Sequence, residues 1–100
     1  MVLTGPLARA ARALVEWPRD RVAQLSGVSV EALAAFERAH IDPGQAARDA
    51  IRAALEQGGA VFIPEADGVG AGVHLKFARK VAKQINRMEN EGGPVGEDDV

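Results

Sequence analysis

The chain has 100 residues, of which 47% are apolar and 26% are charged, a composition that fits one small domain and excludes two separate cores. It has no cysteine, which excludes disulfides and thiolate chemistry, and two histidines alone make a poor metal site, so we expect no metal and no cofactor. No apolar run reaches the roughly 18 residues of a membrane-spanning helix and the N-terminus lacks the pattern of a signal peptide, so we expect a cytoplasmic protein without a membrane partner.

The net charge of -2 hides an uneven distribution along the chain. Residues 1–75 are close to neutral, residues 76–88 carry five basic and no acidic side chains, and residues 89–100 carry five acidic and no basic ones. An acidic end that contains glycine and proline is typical of a disordered tail. We therefore expect a helical domain over residues 1–58, a dimerisation or partner-binding element over residues 59–88, and a disordered tail after it.

Two helices are predicted before the first glycine turn. Apolar residues recur at helical spacing after Thr4, which can serve as N-cap, and Pro18 suits the first turn of the second helix. Gly27 can adopt a positive φ and end that helix. The apolar positions of these two helices are Leu7, Ala10, Ala11, Leu14, Trp17, Val22, Ala23 and Leu25.

Two further helices follow the turn. Ser29 can N-cap the third helix, which ends near His40, and the fourth is closed by Gly58 and Gly59. Their apolar positions are Ala32, Leu33, Phe36, Ala47, Ala50, Ile51, Ala54 and Leu55.

The apolar period changes to two after the fourth helix. Residues 60–64 and 73–77 predict two strands joined by a glycine-rich loop, and residues 77–88 predict a fifth helix with one basic face. The expected fold is thus mainly α, with four or five helices, a small β-hairpin and a C-terminal amphipathic helix.

The second and third helices match a helix-turn-helix. Gly27 permits the tight turn, Val28 packs inward, and Ser29 caps the helix that follows. A small residue at Ala23 lets the two helices cross closely, which fixes their angle. A third helix held in this way can enter the major groove of double-stranded DNA.

Residues 8–38, ARAARALVEWPRDRVAQLSGVSVEALAAFER, resemble the phage-repressor-like (Xre-type) helix-turn-helix family. The resemblance extends over about residues 5–77 and includes the VFIP and GVHLKF strands found in short bacterial members, but not the basic helix or the acidic tail. The positions that carry it are Arg12, Leu14, Trp17, Val22, Ala23, Gly27, Val28, Ser29, Phe36 and Glu37. It implies a DNA-binding regulator of transcription, and we expect a repressor or autoregulator because the sequence shows no separate activation or ligand domain. We do not expect an enzyme.

The resemblance also implies roles for individual residues. Arg12 and Glu37 correspond to a pair that bridges the first and third helices, and Arg19 occupies a position that grips backbone phosphate. The residues expected to contact DNA are Arg19, Arg21, Ser29, Val30, Glu31, Ala35, Arg38 and His40.

The base-facing positions depart from the family pattern. Val30, Ala34 and Ala35 can offer only apolar contact to thymine methyl groups, and Glu31 can accept from a cytosine amino group. Pro18 replaces the usual Ser or Thr, which removes one phosphate donor. Direct base readout should therefore be sparse.

The hairpin and the fifth helix need an apolar partner, because a two-stranded hairpin alone is marginally stable. We expect a symmetric homodimer that places two recognition helices about 34 to 36 Å apart on DNA. The alternative is a hairpin that folds back on its own helices. The dimerisation residues expected are Val61, Ile63, Val73, Leu75, Phe77, Val81 and Ile85.

Other functions remain open to different degrees. An αα-hairpin with glycine in its turn can imitate a helix-turn-helix, so a helical scaffold is one alternative. Another is an antitoxin or anti-activator that covers a protein partner with residues 76–100.

The glycines of residues 68–72 do not form a phosphate loop, because a strand pattern and no helix follows them. The histidines and serines have no spacing that suits catalysis.

Overall fold

The computed structural model describes residues 1–77, which form four helices and one β-hairpin. The mainly helical fold with a two-stranded hairpin is confirmed. The predicted fifth helix, with Val81 and Ile85, and the predicted tail lie outside the described residues. In chain order the elements are α1 (Gly5–Val15), α2 (Arg19–Ser26), α3 (Val30–Ala39), α4 (Gln45–Gln57), β1 (Ala60–Ile63) and β2 (Gly72–Leu75).

Local signals in the sequence set the helix ends. The Thr4 hydroxyl accepts from the Leu7 amide at 3.3 Å at the start of α1, and the Ser29 hydroxyl accepts from the Ala32 amide at 3.1 Å at the start of α3. The helix α2 starts after Pro18 without a side-chain cap, and Gly27 ends it in the left-handed region at φ 78°. His40 ends α3 with the same hand, at φ 57°.

One apolar core lies between the helices and the hairpin. Val22, Leu33, Ile51 and Leu55 are each at most 1% exposed and form its centre. Small residues of α1 and α4 complete it and allow close helix packing. The other buried apolar residues are Leu3, Ala8, Ala11, Val15, Phe36, Ala54, Ala60 and Phe62.

Two predicted core positions are wrong. Ala10 is exposed, because α1 turns Ala8, Ala11 and Val15 inward instead. Leu25 is 37% exposed, because the short helix α2 buries only Val22 fully. In both helices the inward face is narrower than the apolar content of the sequence indicates.

The hairpin is antiparallel and packs against α1 and α4 of the same chain. Phe62 pairs with Val73 and Ala60 with Leu75, and these four side chains form the face that packs against the core. On the other face Ile63 is 44% exposed. The inner face of the hairpin thus folds back on helices of its own chain, as the alternative expectation had it. None of the helices in residues 1–77 is long and apolar enough to cross a membrane.

Candidate nucleic-acid interface

The turn between α2 and α3 has the predicted tight geometry. The Gly27 amide donates to the Ala23 carbonyl at 2.9 Å, and the Val28 amide donates to the Ser26 hydroxyl at 3.2 Å. The Val28 side chain is partly buried and packs against the core. The chain therefore leaves α2 and enters α3 with few free rotations.

One side of α3 faces away from the core. Leu33, Phe36 and Glu37 point inward, whereas Val30 is 37% exposed. Residues that are one, three or four positions apart on a helix lie close together on its surface, so the outward positions of α3 form one stripe. The members of this stripe are Val30, Glu31 and Arg38, which are exposed, and Ala34 and Ala35, which are partly buried. We call these five residues the α3 face.

The remaining predicted DNA contacts flank the α3 face. Ser29 and His40 are exposed at its two ends, and the Ser29 hydroxyl already accepts the Ala32 amide. Arg21 is exposed on α2, where its guanidinium lies 5.2 Å from the centre of the Trp17 ring. This contact orients Arg21 without removing its charge.

A buried carboxylate joins the first three helices. The Glu37 side chain is 1% exposed. Arg12 of α1 donates through Nε to Oε2 and through Nη2 to Oε1, both at 3.0 Å, so the structure contains the predicted bridge between these residues. The Arg19 Nε of α2 donates to the same Oε1 at 2.9 Å. We call these three side chains the Glu37 cluster.

Sequence reasoning placed Arg19 only at the DNA backbone and missed its bond to Glu37. Its side chain is 22% exposed, so the residue is half-buried against the body of the protein. Arg9 was missed too, and its Nη1 donates to the Glu37 backbone carbonyl. Spacing along α1 and α2 carries no signal for these contacts, because they depend on how three helices cross.

The turn after α3 is fixed by Asp42. Its Oδ1 accepts from the Gly44 amide at 2.8 Å and from the Arg48 guanidinium. These bonds favour the carboxylate and hold the pKa of Asp42 below its ordinary value. The start of α4 is thereby tied to the end of α3.

The predicted dimerisation residues divide between two surfaces. Val73 and Leu75 lie on the face of the hairpin that packs against the core. Ile63 is 44% exposed, Phe77 is 43% exposed, and Val61 is partly buried on the outer face. These three are the predicted residues that the described part of the chain leaves accessible.

The arrangement can present a rigid helix face to a groove. Within residues 1–77, no three His, Asp or Glu side chains gather as metal ligands would. The chemistry available at the α3 face is apolar contact, one carboxylate acceptor and one guanidinium. No protein-family model matches the chain, and no curated protein shows significant similarity to it.

Proposed function

We propose that the protein is a sequence-specific regulator of transcription that binds double-stranded DNA with α3 in the major groove. The observation that carries the proposal is the α3 face, an outward stripe on a helix whose angle to α2 is fixed by the turn at Gly27. As its mode of action we propose repression or autoregulation.

The Glu37 cluster supports this proposal because it makes the three helices one rigid unit. A buried carboxylate needs its hydrogen-bonding partners, since an unpaired buried charge costs several kcal/mol, about 3 to 5 kcal/mol when one partner is removed. The helices α1, α2 and α3 are therefore held in one relative orientation. A reading helix with a fixed orientation binds DNA without a further entropic cost of ordering.

The distribution of charged residues predicts how much of the affinity for DNA comes from phosphate contacts and how much from contacts to bases. Residues 1–75 contain seven basic and nine acidic side chains, so Arg21 and Arg38 act locally rather than through a large positive field. The five basic side chains of residues 76–88 supply the remaining attraction to phosphate. Affinity should therefore be strongly dependent on salt and only modestly dependent on base sequence.

The test is selection of duplexes from a random library by the full chain, followed by affinity measurements from about 50 to 200 mM salt. The Arg38→Gln variant should bind the selected duplex more weakly, with a salt slope smaller by about one phosphate contact. Arg52→Gln on α4 is the matched control, because Arg52 pairs with Glu56 of its own helix at 3.1 Å. Failure of any sequence to be enriched would refute the proposal.

A protein-binding role is the second candidate. The α3 face is largely apolar, with Val30, Ala34 and Ala35 beside one carboxylate and one guanidinium, a composition that also suits a protein surface. An antitoxin or anti-activator would in addition use residues 76–100. A chain ending at Lys76 distinguishes the two candidate functions. A DNA-binding domain should still bind its DNA site weakly without residues 77–100, whereas an antitoxin or anti-activator should no longer bind its partner protein.

We further propose a homodimer in which the outer face of the hairpin lies at the interface. The support is the exposure of Ile63 and Phe77 together with the open edges of a two-stranded sheet. A symmetric dimer would present two α3 helices to one side of DNA.

A further inference from the structure

Arg12 and Arg19 share the Glu37 carboxylate but are held in different ways. Arg12 uses all three of its nitrogens, since Nε and Nη2 donate to Glu37 and Nη1 donates to the Trp17 carbonyl at 3.2 Å. Arg19 is held through Nε alone. Within residues 1–77, the structure shows no acceptor for its two terminal nitrogens.

The charges of the Glu37 cluster do not balance. Two guanidinium groups, 20% and 22% exposed, meet one carboxylate that is 1% exposed. A third arginine nearby, Arg9, donates to the neutral backbone carbonyl of Glu37, so its contact brings no second carboxylate to the cluster. The cluster therefore carries a net positive charge in a partly desolvated place, where electrostatic attraction is stronger than in bulk water.

Because a guanidinium is rigid and planar, a single hydrogen bond can orient the whole group. A guanidinium has five N–H groups in a rigid fork, so a bond at Nε restricts where the terminal nitrogens can point. Of these five groups, Arg19 uses one on Glu37 and retains four. A phosphodiester accepts such N–H groups in the bidentate way that suits arginine.

We propose that Glu37 is a positioning residue that orients Arg19 to bind a DNA backbone phosphate, whereas Arg12 serves only the scaffold. This inference rests on the proposed DNA binding and adds to it a role for Glu37, whose bond to Arg19 fixes the orientation of that guanidinium. It also links the scaffold to the interface, since the side chain that ties α1 to α3 holds the phosphate-binding group.

The experiment compares Arg19→Gln with Arg12→Gln in the full chain. Each variant is titrated against one 20-base-pair duplex of arbitrary sequence over a range of salt concentrations, and its thermal unfolding is followed by circular dichroism. Arg19→Gln should reduce the salt slope by about 0.9, the value for one phosphate. Arg12→Gln should leave the slope unchanged while lowering the melting temperature more than Arg19→Gln does.

A second comparison tests the positioning by Glu37. Glu37→Gln should lower DNA affinity several-fold in the wild-type background, at a temperature where circular dichroism shows the variant to be folded. In the Arg19→Gln background the same change should have little further effect, because the group that Glu37 positions is gone. Arg19→Lys should keep the salt slope yet bind more weakly, since an ammonium keeps the charge but not the fixed fork.

Three results would overturn the inference. One is an unchanged salt slope in Arg19→Gln, and another is an equal change of slope in Arg12→Gln. Both decide the matter even if Glu37→Gln fails to fold. The third is a loss of DNA affinity on Glu37→Gln that is as large in the Arg19→Gln background as in the wild type. Wild-type protein that binds no duplex at any salt concentration would instead refute the proposed function itself.

Discussion

At the scale of single residues, Gly5 shows how closely α1 and α3 approach. It is buried in the first turn of α1, and a Cβ atom built there would overlap the Phe36 carbonyl oxygen and lie 3.1 Å from its carbon. Both contacts are with backbone, which cannot move aside as the end of a flexible side chain can. The absence of a side chain at position 5 thus sets the distance between the two helices.

We expect Gly5→Ala to destabilise the fold by about 1 to 3 kcal/mol, the usual cost of forcing extra atoms into a packed site. The measurement is chemical unfolding monitored by circular dichroism. Gly70→Ala is the control, because a Cβ atom there meets nothing within 4 Å. Equal midpoints for the two variants would show that the helices can separate at no cost.

At the scale of elements, the α3 face determines what kind of DNA sequence the protein can read. Val30 stands at the first position of the helix and is 37% exposed. Its methyl groups can discriminate bases only by contact with the C5-methyl group of thymine, because they neither donate nor accept hydrogen bonds. The α3 face should therefore favour sites that contain thymine.

The prediction is tested by combining Val30→Thr with duplexes that contain uracil in place of thymine. Threonine has nearly the same shape as valine but replaces a methyl with a hydroxyl. On the selected thymine duplex the variant should bind about fourfold more weakly, corresponding to about 0.8 kcal/mol for one buried methyl-sized group. On the uracil duplex the difference should vanish. Equal losses on both duplexes would exclude the methyl contact.

At the scale of the whole molecule, the hairpin connects the helical domain to its surroundings. Its inner face, with Phe62 and Val73, completes the core, so the hairpin belongs to the fold of one chain. Its outer face keeps Ile63 accessible. Dimerisation through this face would therefore not require the monomer to unfold.

We expect Ile63→Lys to convert a dimer into a monomer, because two buried ammonium groups would meet across a symmetric interface. Light scattering over a range of concentrations measures the change. Val69→Lys is the control, since Val69 is 69% exposed in the hairpin loop, away from the strands. A wild-type chain that is monomeric both alone and on DNA would contradict the dimer.

Much of this architecture is predictable from local rules. Thr4 and Ser29 mark helix starts because their hydroxyls accept amides that a helix leaves free, and Gly27 marks a helix end because its positive φ costs glycine little. The change of apolar period at residue 60 marks the hairpin for the same kind of reason, since side chains alternate across a strand.

Local rules do not predict which face of the hairpin, or which side of α1, packs against the core. Alternation along β1 shows that Val61 and Ile63 share a face, but not that Ala60 and Phe62 are the pair that meets the core. Likewise, Ala8 and Ala10 are chemically identical, and only contact with other elements buries one and exposes the other.

By itself the sequence determined the order of the elements, their caps, the tight turn and, through resemblance, the pairing of Arg12 with Glu37, because each depends on short-range geometry or on a pattern along the chain. Only the tertiary structure decided that Arg19 shares the Glu37 carboxylate, that Gly5 lies against the backbone of α3, and that Phe62 closes the core. These contacts depend on the crossing of helices that are separated along the chain, and the period of one helix does not encode its angle to another.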